Sequence, residues 1–203
     1  MLIAISHRIS YIFPALLLAC SIPIQAQQAA SHGVTVHLDP AQSEIHWTLS
    51  GNVHTVHGTF RLKGGLLTFD PATGVATGEI LVDAATGESG DNARDSRMQK
   101  VVLESAKYPQ MIFHPQKVPG AVKAGSTQNV TVDGTFTIHG TDHPLTLQMQ
   151  IQTESGNRVT ATTHFTVPYV AWGMKDPSNF IFRVDKQVDA EVTAKGTAEG
   201  LQP

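Results

Sequence analysis

Ten histidines in a chain of 203 residues put metal chemistry first among the reactions this sequence could support. The tightest pairs are His54 with His57 in "HTVHG" and His139 with His143 in "HGTDHP". In an extended strand a spacing of three sends two rings to opposite faces, so His54 and His57 would need a bend to chelate. A spacing of four across a turn could bring His139 and His143 together. Neither pair has a thiolate or an obvious third ligand nearby, so turn and hydrogen-bonding roles are expected and no metal ligand is assigned. Ser89 in "GESGD" reads as a turn or a helix cap. The chain has no Gly-x-Ser-x-Gly elbow, no Gly-rich phosphate loop and no zinc-protease helix motif. No catalytic residue and no cofactor are therefore expected. Arg94, Asp95 and Arg97 form either a solvated helix face or a group that turns an arginine toward a polar part of a ligand.

Charge narrows the partners. Only 15% of residues are charged and the net charge is −3. No basic stripe is available to neutralise phosphates, so nucleic acid is not an expected partner.

Residues 1–26 read as an export signal. Arg8 is their one charge, "YIFPALLLA" is the apolar core, and Ile24 and Ala26 form an A-x-A-like cleavage site before Gln27. The apolar run is too short for a membrane span. Removing it takes Arg8 from the 14 basic residues and leaves all 17 acidic ones, about −4 in the mature chain. The single cysteine, Cys20, lies in "LLAC", which resembles a lipoprotein box. Acylation there and plain cleavage after Ala26 remain alternatives. The expected product is exported and periplasmic, touching a membrane only transiently or through an anchor at Cys20, and its folded part has no disulfide. Residues 27–33 read as a tether, 34–197 as one domain, and 198–203 as a tail.

The elements of that domain follow period two. "LTLQMQIQT" sets Leu145, Leu147, Met149 and Ile151 against Thr146, Gln148, Gln150 and Gln152, a strand with one dry and one wet face. "EIHWTLS", "NVTVDGTFTIH", "RVTATTHFTVP" and "FIFRVDKQVDAEVTA" alternate likewise, the last placing Phe180, Phe182 and Val184 on its dry face. Further strands are expected at 57–62, 65–70, 77–83 and 110–118. "DPATG", "HGTDHP" and "ESGN" supply hairpin turns. About eight antiparallel strands, each dry on one side, predict an all-β, up-and-down barrel, with a two-layer sandwich as the rival. The interruption is 91–106. There Ser89 or Asp91 could cap a helix, and Met98, Val101, Val102 and Ala106 recur at helical spacing.

The order "DPAQSEIHWTL", "VHGTFRLKGGLLTFDP", "GEILVDAATGESGDNARDSRM", "YPQMIFHP", "VDGTFTIHGTDHPLTLQM" and "VAWGMKDPSNFIFRVDKQVDAEV" resembles the YceI-like family from Val34 to Gly196. That resemblance implies a lipocalin-like barrel of an exported bacterial protein, binding a polyisoprenoid or related amphiphilic lipid. "SRMQKVVLESAK" and "VAWGM" depart from the patterns the family often shows near its ligand, so the lipid's identity transfers least. Oligomeric state is left open, a homodimer being one arrangement.

On this reading the lumen and its mouth are lined by Trp47, Phe60, Ile80, Val82, Met98, Leu103, Met111, Phe113, Phe136, Ile138, Leu147, Met149, Phe165, Val167, Trp172 and Phe182. Trp172 is either a plug over one barrel end or a direct ligand contact. The mixture of Phe residues with Ala161, Ala190, Ala194 and Gly134 could also interdigitate into a filled core. The alternative function is then an exported β-domain acting through protein–protein contact or metal capture.

Overall fold

In the computed structural model, which describes residues 33–120 and 122–201, the first strand is broken in two. β1 (Val34–Leu38) and β2 (Glu44–Leu49) both run antiparallel between the same two neighbours, β3 (Val56–Phe69) and β9 (Val188–Glu199). Pro40 has no N–H for a ladder, and the Asp39 carboxylate turns the chain by accepting the Ala41 N–H at 2.9 Å. Ser43 then stitches the break to β9. Its hydroxyl donates to the Asp39 carbonyl at 2.7 Å and accepts the Lys195 N–H at 3.1 Å. β4 (Ala76–Glu88), β5 (Gln110–Lys117), β6 (Thr127–Ile138), β7 (Thr141–Thr153) and β8 (Arg158–Val167) each pair with the next, and β9 closes the ring on β1 and β2. The fold is an eight-stranded, antiparallel closed barrel with one helical insertion. The expected export signal, Cys20 and nearly all of the tether lie outside the described residues.

Three elements differ from the sequence expectation. The segments 57–62 and 65–70 are one strand, β3, running through Gly64 and Gly65 with a register shift between Leu62 and Gly64. The shift reverses which parity faces inward: Val56 and Leu62 are buried before it and Phe69 after it. A Cβ on Gly65 would lie 2.7 Å from a methyl of Leu38, which fills the place of its missing side chain.

The helical insertion is shorter than 91–106. α1 (Asn92–Arg97) starts at Asp91, whose carboxylate accepts the Arg94 N–H at 2.8 Å, and continues into a π turn (Met98–Val102). It ends there because Glu104 takes a positive φ of 46°. Finally, 180–187 is not strand. β9 begins only at Val188, and Phe180 is fully in solvent, not on a dry face. At its far end β9 runs to Glu199, beyond the boundary expected at 197.

Connections divide between the two barrel ends. Residues 70–75, 118–120, 122–126 and 154–157 lie at one end. Residues 50–55, 89–109, 139–140 and 168–187 lie at the other. The β6–β7 turn is tighter than "HGTDHP" suggested, since His139 and Gly140 alone form it, with φ of 52° and 73°. At the first end Val34, Phe69, Val118, Val122, Val130, Val159 and Ala198 pack into a closed core. The second end is where the helix and the long loops gather.

Candidate functional site

The inner faces of the strands do not fill the barrel. A cavity of about 780 Å³ is lined from β2 round to β9, almost wholly by apolar side chains. A sealed void of that volume would cost roughly 19 kcal/mol at about 24 cal/mol per Å³, more than the roughly 5–15 kcal/mol by which a domain is stable. It is therefore not a packing fault. His54, Arg97 and Phe182 line it and are also exposed, which marks the mouth at the end carrying the helix. None of the residues that close the opposite end lines it.

Large aromatic residues leave this space because neighbouring strands offer glycines. A Cβ on Gly58 would lie 2.3 Å from the ring of Trp47, its direct cross-strand partner. One on Gly134 would lie 2.6 Å from the Phe113 ring, and one on Gly87 2.4 Å from the Phe60 ring. Each ring thus lies against the wall, over a glycine, instead of projecting toward the barrel axis. The Trp47 indole N–H is buried there with no acceptor.

All the lining residues expected from sequence reach the cavity except one. Trp47, Phe60, Ile80, Val82, Met98, Leu103, Met111, Phe113, Phe136, Ile138, Leu147, Met149, Phe165, Val167 and Phe182 line it, and Trp172 does not. Trp172 stacks on His143 with ring centroids 4.1 Å apart and planes 6° apart, and meets Phe136 at 6.1 Å. It packs as a plug at the mouth end. Gly173, at a φ of 89°, turns the chain beside it.

Sequence reasoning missed Ile45, Leu49, Leu62, Leu145, Thr163, Tyr169, Met174, Pro177, Asn179 and Val192 in the lining. Ile45, Leu49, Leu62, Leu145 and Thr163 share strand and parity with residues it named, which was the available signal, whereas Tyr169, Met174, Pro177 and Asn179 come from the 168–187 loop, which has no such pattern. Thr163 is polar yet buried, its hydroxyl donating to the Gln148 carbonyl at 2.8 Å.

The rim holds the polar chemistry. Among the described residues no aspartate or glutamate lines the cavity, whereas Arg94 and Arg97 do. Arg94 is positioned by Ser89: its Nε donates to the Ser89 hydroxyl at 2.7 Å and a terminal nitrogen to the Ser89 carbonyl at 2.9 Å. The same hydroxyl donates to Asp95, so Ser89 braces the helix. Arg97 reaches across the mouth to the Pro177 carbonyl at 3.1 Å and so ties α1 to the 168–187 loop. Within that loop the buried Tyr169 hydroxyl donates to the Asp185 carbonyl at 2.8 Å. Burial, with the charges of Asp176 and Asp185 nearby, pushes this phenol up to about 12.

The histidine pairs separate. His57 Nδ1 lies 3.0 Å from the Thr48 hydroxyl, His139 Nε2 lies 2.6 Å from Glu104, and His54 faces the mouth. His143 is held below the usual histidine range by desolvation, partly offset by Asp142. Among the described residues no three His, Cys, Asp or Glu side chains gather as a metal site.

Comparison with known proteins agrees with this architecture. The family model described as the YceI-like domain matches residues 37–198. A UPF0312 protein of Pseudomonas putida strain W619 is 26% identical over 196 residues, covering 92% of this chain and 97% of the relative. Among solved structures, a polyisoprenoid-binding domain from Saccharophagus degradans, implicated in plant cell wall breakdown, superposes with a TM-score of 0.63 at 18% identity. The match covers 80% of this chain and 98% of that one. BcnA of Burkholderia cenocepacia gives 0.63 at 21% identity, covering 79% and 99%. At these identities the structural matches establish the fold.

Proposed function

The chain belongs to the YceI-like family, and from that premise we propose that it is an exported, non-catalytic carrier of one amphiphilic lipid. The lipid is of the polyisoprenoid or isoprenoid-quinone type, its tail in the lumen and its head group at the mouth. One observation carries this reading: an apolar cavity of about 780 Å³, closed at one end, whose charged lining groups among the described residues are Arg94 and Arg97 at the other. Magnitudes favour a long apolar chain. A buried methylene contributes about 0.8 kcal/mol, so three or four isoprene units exceed the roughly 8 kcal/mol that micromolar binding needs, with a margin for association costs. Met98, Met111 and Met149 in the wall are unbranched and adapt to an irregular tail. The S. degradans domain, described as polyisoprenoid binding, supports the same class of ligand. The reading of residues 1–26 as an export signal supports a periplasmic carrier, free after cleavage at Ala26 or anchored by acylation at Cys20.

Native mass spectrometry of protein purified from an envelope fraction, followed by organic extraction, tests the proposal. A near-stoichiometric isoprenoid-type lipid is the expected result. Protein that arrives empty and also ignores added polyprenols and quinones would refute it and favour a domain acting through protein–protein contact.

A further inference from the structure

Two loops at the open end display large apolar side chains to solvent: Val53 is 62% exposed, Phe180 93%, Ile181 67% and Phe182 52%. They form one structure. Asn52 donates its backbone N–H to the Arg183 carbonyl at 2.9 Å and its side-chain amide to the Ile181 carbonyl at 3.1 Å. Its side-chain oxygen accepts the Arg183 N–H at 3.0 Å, and Gly51 bridges Val184.

The tip is closed on itself as well. The Asn179 N–H donates to the Phe182 carbonyl at 2.8 Å, and the Asn179 side chain accepts the N–H groups of Ile181 and Phe182 at 2.9 and 2.7 Å. Ser178 Oγ accepts the Val184 N–H at 3.1 Å. A loop that remains in water has no need of so many internal partners, because water supplies them. A loop that enters a lipid layer must satisfy its own backbone.

Charge points the same way. Residues 50–55 and 177–184 contain no aspartate or glutamate but include Arg183 and His54, and the flanking Asp176 and Asp185 are matched by Lys175 and Lys186, in a chain whose net charge is −3. Arg97 joins them through its bond to the Pro177 carbonyl. Apolar side chains beside arginines suit the boundary between head groups and acyl chains of an anionic bilayer. The patch fits a second copy of the chain less well. Four side chains at these exposures present on the order of 500 Å², at about 150–250 Å² for a whole aromatic side chain, where a stable interface needs about 800 Å² per partner. Phe182 is exposed and also lines the cavity, so the patch is continuous with the mouth.

We infer that this tip inserts into the surface of an anionic phospholipid bilayer, so that the lumen receives or delivers its lipid without the apolar tail crossing water. The inference rests on the lipid-carrier reading above. It is tested by flotation with vesicles of phosphatidylcholine mixed with phosphatidylglycerol, using the exported chain in a Cys20→Ser background so that no acyl group contributes. The parent should float. The Phe180→Ser/Ile181→Ser variant should lose about tenfold or more of its vesicle partitioning, yet take up a fluorescent polyprenol delivered from ethanol as the parent does. Arg183→Gln should weaken partitioning onto the mixed vesicles and leave the smaller binding to pure phosphatidylcholine unchanged. Equal flotation of parent and double variant, or no flotation of the parent, overturns the inference. So does a parent that sediments as a dimer while the double variant is monomeric, which would assign the patch to a second copy. Failure of polyprenol uptake by every variant would instead strike the carrier reading, since flotation is measured independently of uptake.

Discussion

At the scale of single residues, the lumen exists because rings lie over glycines, and that makes glycine the sensitive position. Gly87 is the cleanest case. The atoms nearest an added Cβ are the edge of the Phe60 ring at 2.4 Å and the Met98 methyl at 2.8 Å, both mobile ends of side chains and neither of them backbone. Gly87→Ala should push Phe60 and Met98 into the cavity and shorten the longest polyprenol accepted in a titration series, with a change in urea midpoint well under that of a core truncation. An unchanged chain-length profile would remove the niche argument. Truncations discriminate between the two ends of the barrel. Phe69 is buried in the closed core and does not line the cavity, whereas Phe165 does. Phe69→Ala should cost the full ~3–5 kcal/mol of a sealed-core deletion, and Phe165→Ala less, because its site already opens on empty space. Phe165→Asp should abolish uptake and cost several kcal/mol more than the alanine variant, since it buries an unpaired charge. Denaturant titrations of the three variants decide the order.

Strands were the legible elements and loops were not, for a physical reason. A strand in a barrel has one dry face, so the alternation of Leu145, Leu147, Met149 and Ile151 states both the element and its orientation. The same logic placed almost every lining residue. It failed where a local feature resets parity or where apolar residues are not buried at all. The strands expected at 57–62 and 65–70 are divided at Gly64–Gly65 because the bulge after Leu62 flips the alternation, yet β4 pairs with the chain on both sides of it, with β2 opposite the first part and β1 opposite the second. Phe180 and Phe182 alternated like a strand, but the hydrogen bonds of Asn52 and Asn179 hold them in a loop. Trp172 was drawn away from the cavity by the flat ring of His143, a partner nearly thirty residues earlier in the chain that no local pattern announces. The 168–187 loop can be tested through Tyr169, whose pKa is raised to about 12 from an unfolded value near 10. A raised folded value means that the unfolded chain ionises first. The stabilisation is therefore complete below pH 10 and is lost as the pH rises through about 12. Urea midpoints of the wild type should fall more steeply across that window than those of Tyr169→Phe. At neutral pH the variant should be weaker by about 1 kcal/mol, because the Asp185 carbonyl loses its donor.

On the scale of the whole molecule, the barrel divides its work along its axis, with packed core at one end and lumen, helix and long loops at the other. The two tryptophans sample different parts of the second half. Trp47 lines the cavity, its indole N–H is buried without an acceptor, and Phe60 stands 6.5 Å away. A lipid tail entering the lumen packs against this ring and so changes its surroundings. Trp172 sees Phe136 and His143 and has no wall on the cavity. Ligand binding should therefore change the emission of Trp47, and the Trp172→Phe variant should keep most of that response while Trp47→Phe loses it. Trp172 should answer to acid. His143 is neutral in the stack because desolvation lowers its pKa below 6.5, with Asp142 opposing more weakly. A lowered folded value contributes stability above pH 6.5 that is lost as the pH falls through the folded pKa. Charging the ring there should loosen the plug and alter Trp172 emission in Trp47→Phe, at a pH below the range of an ordinary histidine. His143→Gln should remove that transition and leave the Trp47 response to lipid in place. A lipid response carried by Trp172 would instead make the plug part of the binding wall, and an acid transition surviving in His143→Gln would assign the titration to another group at the mouth.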